Sequence, residues 1–136
     1  METFTKYAVI FALVIIGLNV ACGLRSDLID RNIIKNFQAA QDRYYAQNHV
    51  YADSFKKLNF AFHRGEQSDD CEFDKKYQDC MDEIPPFPLN RITRIVYLDI
   101  SDAKEGYSII VNHGCDRYRY VGTQTKTDFK ISKERY

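Results

Sequence analysis

The order of apolar and polar positions divides the chain into three regimes. From Tyr7 to Leu24 there is no charged residue, and Asn19 is the one strongly polar side chain. At about 1.5 Å per residue a helix of that run is roughly 27 Å long, close to the thickness of a bilayer core. Residues 1–25 are therefore expected to form a transmembrane anchor or signal segment that meets membrane lipid through residues 7–24. An alternative reading takes Met1 to Lys6 as a short charged leader. Asn19-Val20-Ala21-Cys22 then resembles a lipobox, making Cys22 the point of lipid attachment for an α+β domain that binds a ligand or partner.

Beyond Arg25 the pattern becomes amphipathic. Ser26, followed by Asp27 and Asp30, reads as an N-cap with early acids, so a helix over 26–50 is expected to start or restart there. Ile29, Ile33, Phe37, Ala40 and Tyr44 recur at helical spacing, with Asp30, Arg31, Lys35, Asp42 and Arg43 elsewhere on the wheel. Asn48-His49 reads as the helix end, and Asp53 or Ser54 can cap a short turn that carries Phe55 and Leu58 inward.

The final third alternates with period two. Ile92, Arg94, Val96, Leu98 and Ile100 share one parity; Tyr107 to Asn112, Arg117 to Thr123 and Phe129 to Lys133 follow across tight turns. A sheet over 91–133 is predicted, its apolar face covered by the outer part of the helix. Ile33, Phe37 and Tyr44 would meet Ile109 and Val111 at that junction. Residues 59–90 lack apolar periodicity and reach Pro85-Pro86-Phe87-Pro88, so they read as an irregular loop. The fold class expected is α+β. A long N-terminal helix, with a membrane half and an amphipathic half, packs on a three- to four-stranded antiparallel meander, and residues 26–136 form the domain outside the anchor.

Composition changes this picture little. The formal charge is balanced, and ten Tyr and nine Phe with no Trp suit a sheet faced with large rings. The cysteines add more. Cys71 and Cys80 flank a loop dense in acids, and a disulfide between them is the expected staple, with Cys115 pairing to one of them as the competing connectivity. Such a bond implies an oxidising compartment. Asp70-x-Glu72-x-Asp74 begins like a calcium loop, but Lys75 and Met81 stand where an EF-hand needs Gly and Glu.

Catalytic signatures are missing: there is no G-x-S-x-G, no H-E-x-x-H and no phosphate-cradling glycine loop, and His49, His63 and His113 are not at ligand spacing. No enzyme activity, cofactor or metal is expected. Arg117-Tyr118-Arg119-Tyr120 interleaves bases with aromatics as single-strand binders do, but strand alternation yields the same pattern, so DNA is not expected as a partner.

Tyr44-Tyr45, Asn48, Tyr51, Ser54, Phe55 and Leu58 resemble the close of the long helix in type IV pilins and type II secretion pseudopilins. Gly106-Tyr107-Ser108-Ile109-Ile110-Val111-Asn112-His113 resembles the second strand of many pilins. The resemblance implies a non-catalytic structural or assembly subunit of a type IV pilus or type II secretion-related system. It implies single-pass placement in the inner membrane, a periplasmic or extracellular C-terminal domain, and other pilin-like subunits or assembly proteins as partners. Thr3 stands where the family's cleavage motif has Gly, and Ala8 where it has Glu, which makes the chain atypical among such subunits.

Overall fold

The computed structural model describes residues 2–58, 79–83, 94–113 and 118–135, the side chains of 16–26, 79, 82 and 83 excepted. Helix α1 runs from Glu2 to Asn48 without a break. The expected restart at Ser26 does not occur: no proline interrupts the segment, and the continuous backbone ladder leaves the Ser-Asp-Asp signature inside the helix. His49 then adopts φ 59°, its amide donating to the Tyr45 carbonyl at 2.8 Å, which closes the last turn with a left-handed residue. A one-turn helix α2, Phe55–Leu58, follows.

The described residues also include five strands: β1 Asp79–Glu83, β2 Arg94–Asp99, β3 Tyr107–His113, β4 Tyr118–Gln124 and β5 Phe129–Arg135. They form a single sheet in the order β1-β2-β3-β4-β5, every neighbouring pair antiparallel. The expected three- to four-stranded meander is thereby corrected. The additional strand β1 lies inside the stretch expected to be an irregular loop over 59–90. Its acids hide the strand signal, but Cys80 and Met81 sit opposite Tyr97 and Val96, Cys80 is buried and Met81 packs against the core. Two consecutive apolar residues in a five-residue strand are too few to produce visible alternation.

The packing of helix on sheet is also more limited than a helix lying along a meander. Asp30, Ile33, Ile34, Phe37, Ala40 and Gln41 are buried, whereas Glu2 to Ile15 are exposed throughout. Among the described side chains, the fully buried positions of α1 span about three turns, from Asp30 to Gln41. There Ile33, Ile34 and Phe37 join Val96, Leu98, Ile100, Tyr107, Ile109, Val111 and Tyr120 in one apolar cluster, with Phe55 from α2. Gly122 permits this approach: a Cβ there would stand 2.5 Å from Ile34 Cγ2 and 2.8 Å from Phe129 Cζ. Tyr107 ties the layer together, its ring edge-on to Phe37 at 5.5 Å and to Tyr51 at 5.1 Å.

The membrane placement is overturned as well. Among the described residues no helix is long and apolar enough to cross a membrane. The expected single-pass inner-membrane location therefore falls.

Candidate functional site

The front of α1 is a stretch of exposed apolar side chains. Phe4, Tyr7, Phe11 and Leu13 are each exposed by more than 60%, and Val9, Ile10, Val14 and Ile15 are exposed beside them. These residues lie on every side of the helix rather than on one stripe, a distribution found where a helix is enclosed by other apolar material. Thr5, Lys6, Val9 and Ile10 line a shallow, almost wholly apolar groove of about 330 Å³. Lone exposed apolar residues carry no message, but a contiguous run of this extent marks an interaction surface.

Where α1 reaches the sheet, a buried charged cluster fixes its position. Asp30 Oδ1 accepts from Arg94 Nε at 2.7 Å, and Asp30 Oδ2 lies 3.3 Å from His113 Nε2. Arg94 opens β2 and His113 closes β3, and the two are paired across the sheet. One carboxylate on the helix thus faces two nitrogen-bearing side chains held side by side. Burial pushes the Asp30 carboxyl above its ordinary range, against the opposing pull of the Arg94 hydrogen bond and charge. Around it Lys133 Nζ stands 3.5 Å from Asp27 Oδ2 and 5.7 Å from the centre of the Tyr120 ring, with Arg31 over that ring at 5.4 Å.

At the other end of the sheet the β2–β3 and β4–β5 turns flank an open cleft of about 490 Å³. Its lining includes Asp99, Ser108 and Thr123, and Lys126 pairs with Glu105 at 2.9 Å between the two turns. The Ser108 and Thr123 hydroxyls stand 3.3 Å apart, and Gln124 and Thr125 spend their polar atoms on the Asp128 turn. No set of three or more His, Cys, Asp or Glu among the described residues is arranged to hold a metal.

The residues singled out from the sequence are distributed as follows. Ile33, Phe37, Ile109 and Val111 meet in the core, while Tyr44 is half-buried at its margin and outside the apolar cluster. Cys80 is buried and carries no free thiol. Cys71 and Cys115 fall outside the described residues, as does the side chain of Cys22. Cys80 is disulfide-bonded, and because both candidate partners, Cys71 and Cys115, lie outside the described residues, the choice between the expected Cys71–Cys80 staple and the competing pairing with Cys115 lies outside them too. His63 and Arg117 also lie outside them.

Sequence reasoning missed the Asp30–Arg94–His113 cluster. The signal was available: Arg94 and His113 occupy inward-facing positions of their strands, where an unpaired charge is not tolerated. It also missed Gln41, whose amide donates to the Ala52 carbonyl at 2.9 Å and accepts from the Ala52 amide at 2.8 Å. Comparison with protein families, with characterised proteins and with solved structures returned no match.

Proposed function

We propose that the chain is a non-catalytic assembly subunit, in the manner of the pilin-like subunits its sequence resembles. The exposed apolar front of α1 packs against the same segment of other copies or of related subunits. The observation that carries this reading is the run from Phe4 to Ile15, whose apolar side chains remain in contact with water in the single chain. At about 25 cal/mol per Å² of apolar surface removed from water, enclosing such a run supplies a large driving force for association. The sheet domain then rides on the outside as a compact head, positioned by the Asp30–Arg94 contact.

Sedimentation of the full-length chain in detergent-free buffer tests this. The wild type is expected to associate in a concentration-dependent manner, and Phe11→Asp combined with Val14→Asp to remain monomeric with an unchanged head fold by circular dichroism. A wild-type chain that stays monomeric at high concentration, or a double variant that associates equally well, ends the proposal.

A further inference from the structure

We propose that two copies of this chain pair through β5, edge to edge and antiparallel, with Ser132 of one copy opposite Ser132 of the other. The contact lies apart from the front of α1 and goes beyond the assembly reading, on which it does not depend. β5 ends the sheet order, and among the described residues it has a strand on one side only. Lys130 and every residue from Ser132 to Arg135 are exposed. An edge of that kind offers backbone donors and acceptors to another strand.

The backbone restricts how a second copy can lie there. Across the β4–β5 turn the Thr125 amide donates to the Asp128 carbonyl at 2.9 Å, which makes these two a hydrogen-bonded pair. Bonded pairs alternate along an antiparallel ladder, so in the β4–β5 register Lys130, Ser132 and Glu134 turn their backbone groups toward β4. Phe129, Ile131 and Arg135 turn theirs outward. An antiparallel partner must therefore set odd-numbered positions against odd ones and even against even.

The charges then choose one register. Phe129 and Ile131 pack toward the core, so Lys130, Ser132 and Glu134 stand on the face away from α1. With Ser132 opposite itself, Lys130 of each copy faces Glu134 of the other, and Phe129 faces Arg135. Moving the centre to Ile131 sets Asp128 against Glu134, and moving it to Lys133 sets that lysine against itself. Like charges directly opposed are destabilising. The side chains are placed for the favoured pairing: Lys130 is 81% exposed with only a 3.7 Å approach to Asp128, and Glu134 is 46% exposed and meets Arg119 through Oε2. The relation is a two-fold axis normal to the sheet, an isologous contact that closes at two copies. Seven residues a side is short of the roughly 20–30 of a stable interface, so the pair is weak and forms at concentrations above those at which the α1 fronts associate. Edge lysines also protect a sheet from indiscriminate pairing, but a purely protective edge makes no position-specific contact.

Disulfide trapping reads such a contact. Ser132→Cys is introduced into the full-length chain carrying Phe11→Asp and Val14→Asp, which separates the test from the α1 front, and the protein is oxidised. The same chain with Ser132 retained is the reference for its four native cysteines. Covalent dimer is expected from Ser132→Cys, because a non-bonded antiparallel pair holds its Cα atoms about 4.5 Å apart, within disulfide reach. Lys130→Cys, whose two copies would lie about 13 Å apart along the strands, should give none above the reference. Lys130→Glu and Glu134→Lys should each lower trapping through Ser132→Cys by roughly tenfold, and the two together should restore it to within a few-fold. No dimer above the reference, equal trapping by Lys130→Cys, or indifference to the charge reversals overturns the inference. None of these outcomes touches the α1 front, whose test is the association of chains with Phe11 and Val14 intact.

Discussion

Asp30 Oδ1 lies 2.7 Å from Arg94 Nε, with both side chains withdrawn from solvent and 64 positions apart in the chain. Removing one partner strands the other in a low-dielectric interior, which typically costs about 3–5 kcal/mol. Arg94→Ala is accordingly expected to lower the unfolding free energy by that amount in urea titration. Replacing both, as Asp30→Leu with Arg94→Met, should recover much of the loss, because a buried ion pair exchanged for apolar side chains of similar volume is often neutral. A double variant as unstable as Arg94→Ala would show that the charges do more than compensate each other.

The same carboxyl gives stability a pH dependence of defined sign. Burial raises the folded-state value of Asp30 above the reference of 3.8, despite the stabilising effect of Arg94 and the nearby His113, and with Asp27 acting in the same direction as burial. Between the unfolded and folded values the native state binds more protons than the unfolded state, so stability falls as pH rises through that window. The contribution is fully present below pH 3.8 and lost above the folded value. The difference in unfolding free energy between wild type and Asp30→Asn, followed from pH 3.8 upward, should therefore shift against the wild type as pH increases. A constant difference across that range would contradict the burial argument.

Helix and sheet approach most closely at Gly122. A Cβ at this position meets Ile34 Cγ2 at 2.5 Å, Phe129 Cζ at 2.8 Å and Ile109 Cγ2 at 3.0 Å, three buried or half-buried groups with little room to retreat. Gly122→Val should destabilise the domain by about 1–3 kcal/mol through overpacking. Gly122→Ala combined with Ile34→Leu should be better tolerated than Gly122→Ala alone, since leucine has no β-branch and so lacks the Cγ2 methyl that the new Cβ would meet. Denaturation midpoints of the three variants check the order.

These contacts show how far the sequence could be read. The stripe Ile33–Phe37 and the alternation through Val96–Ile100 and Tyr107–His113 were visible because helical and strand periods are imposed by one-sided burial. Strand β1 was hidden because a short edge strand rich in acids follows neither pattern. Long-range polar pairing was hidden for a different reason. Asp30 looks like an early helix acid until α1 is known to be continuous, and Arg94 and His113 become neighbours only through the β2–β3 register. The apolar length of residues 7–24 suggested a membrane span; the described structure shows exposed apolar side chains and no qualifying span, and an apolar run alone does not distinguish lipid from another protein.

Gln41 acts as a clamp on the chain leaving α1. Its side-chain amide exchanges two hydrogen bonds with the backbone of Ala52, at 2.9 and 2.8 Å, and both residues are fully buried. Gln41→Leu keeps much of the volume but leaves the Ala52 amide and carbonyl without these partners, a cost of about 1–3 kcal/mol for a buried group. Gln41→Glu provides an acceptor for the amide and repels the carbonyl, so it should fall between wild type and Gln41→Leu only at pH low enough to protonate it. Hydrogen exchange at the Ala52 amide should accelerate in Gln41→Leu more than at Val111.

The helix terminus offers a change in the opposite direction. His49 holds φ 59°, a left-handed conformation that costs a residue with a Cβ roughly 1 kcal/mol and glycine very little. Its amide bond to the Tyr45 carbonyl, together with the Asn48 side-chain amide donating to the Tyr44 carbonyl at 2.9 Å, satisfies the last turn whichever residue stands at 49. His49→Gly should therefore stabilise the domain by about 0.5–1 kcal/mol, the relief of strain exceeding the added freedom of the unfolded chain. His49→Val, β-branched and less tolerant of positive φ, should destabilise it by a similar amount or more. Because His49 is exposed, neither change alters core packing, and equilibrium unfolding of the two variants reads the backbone term alone.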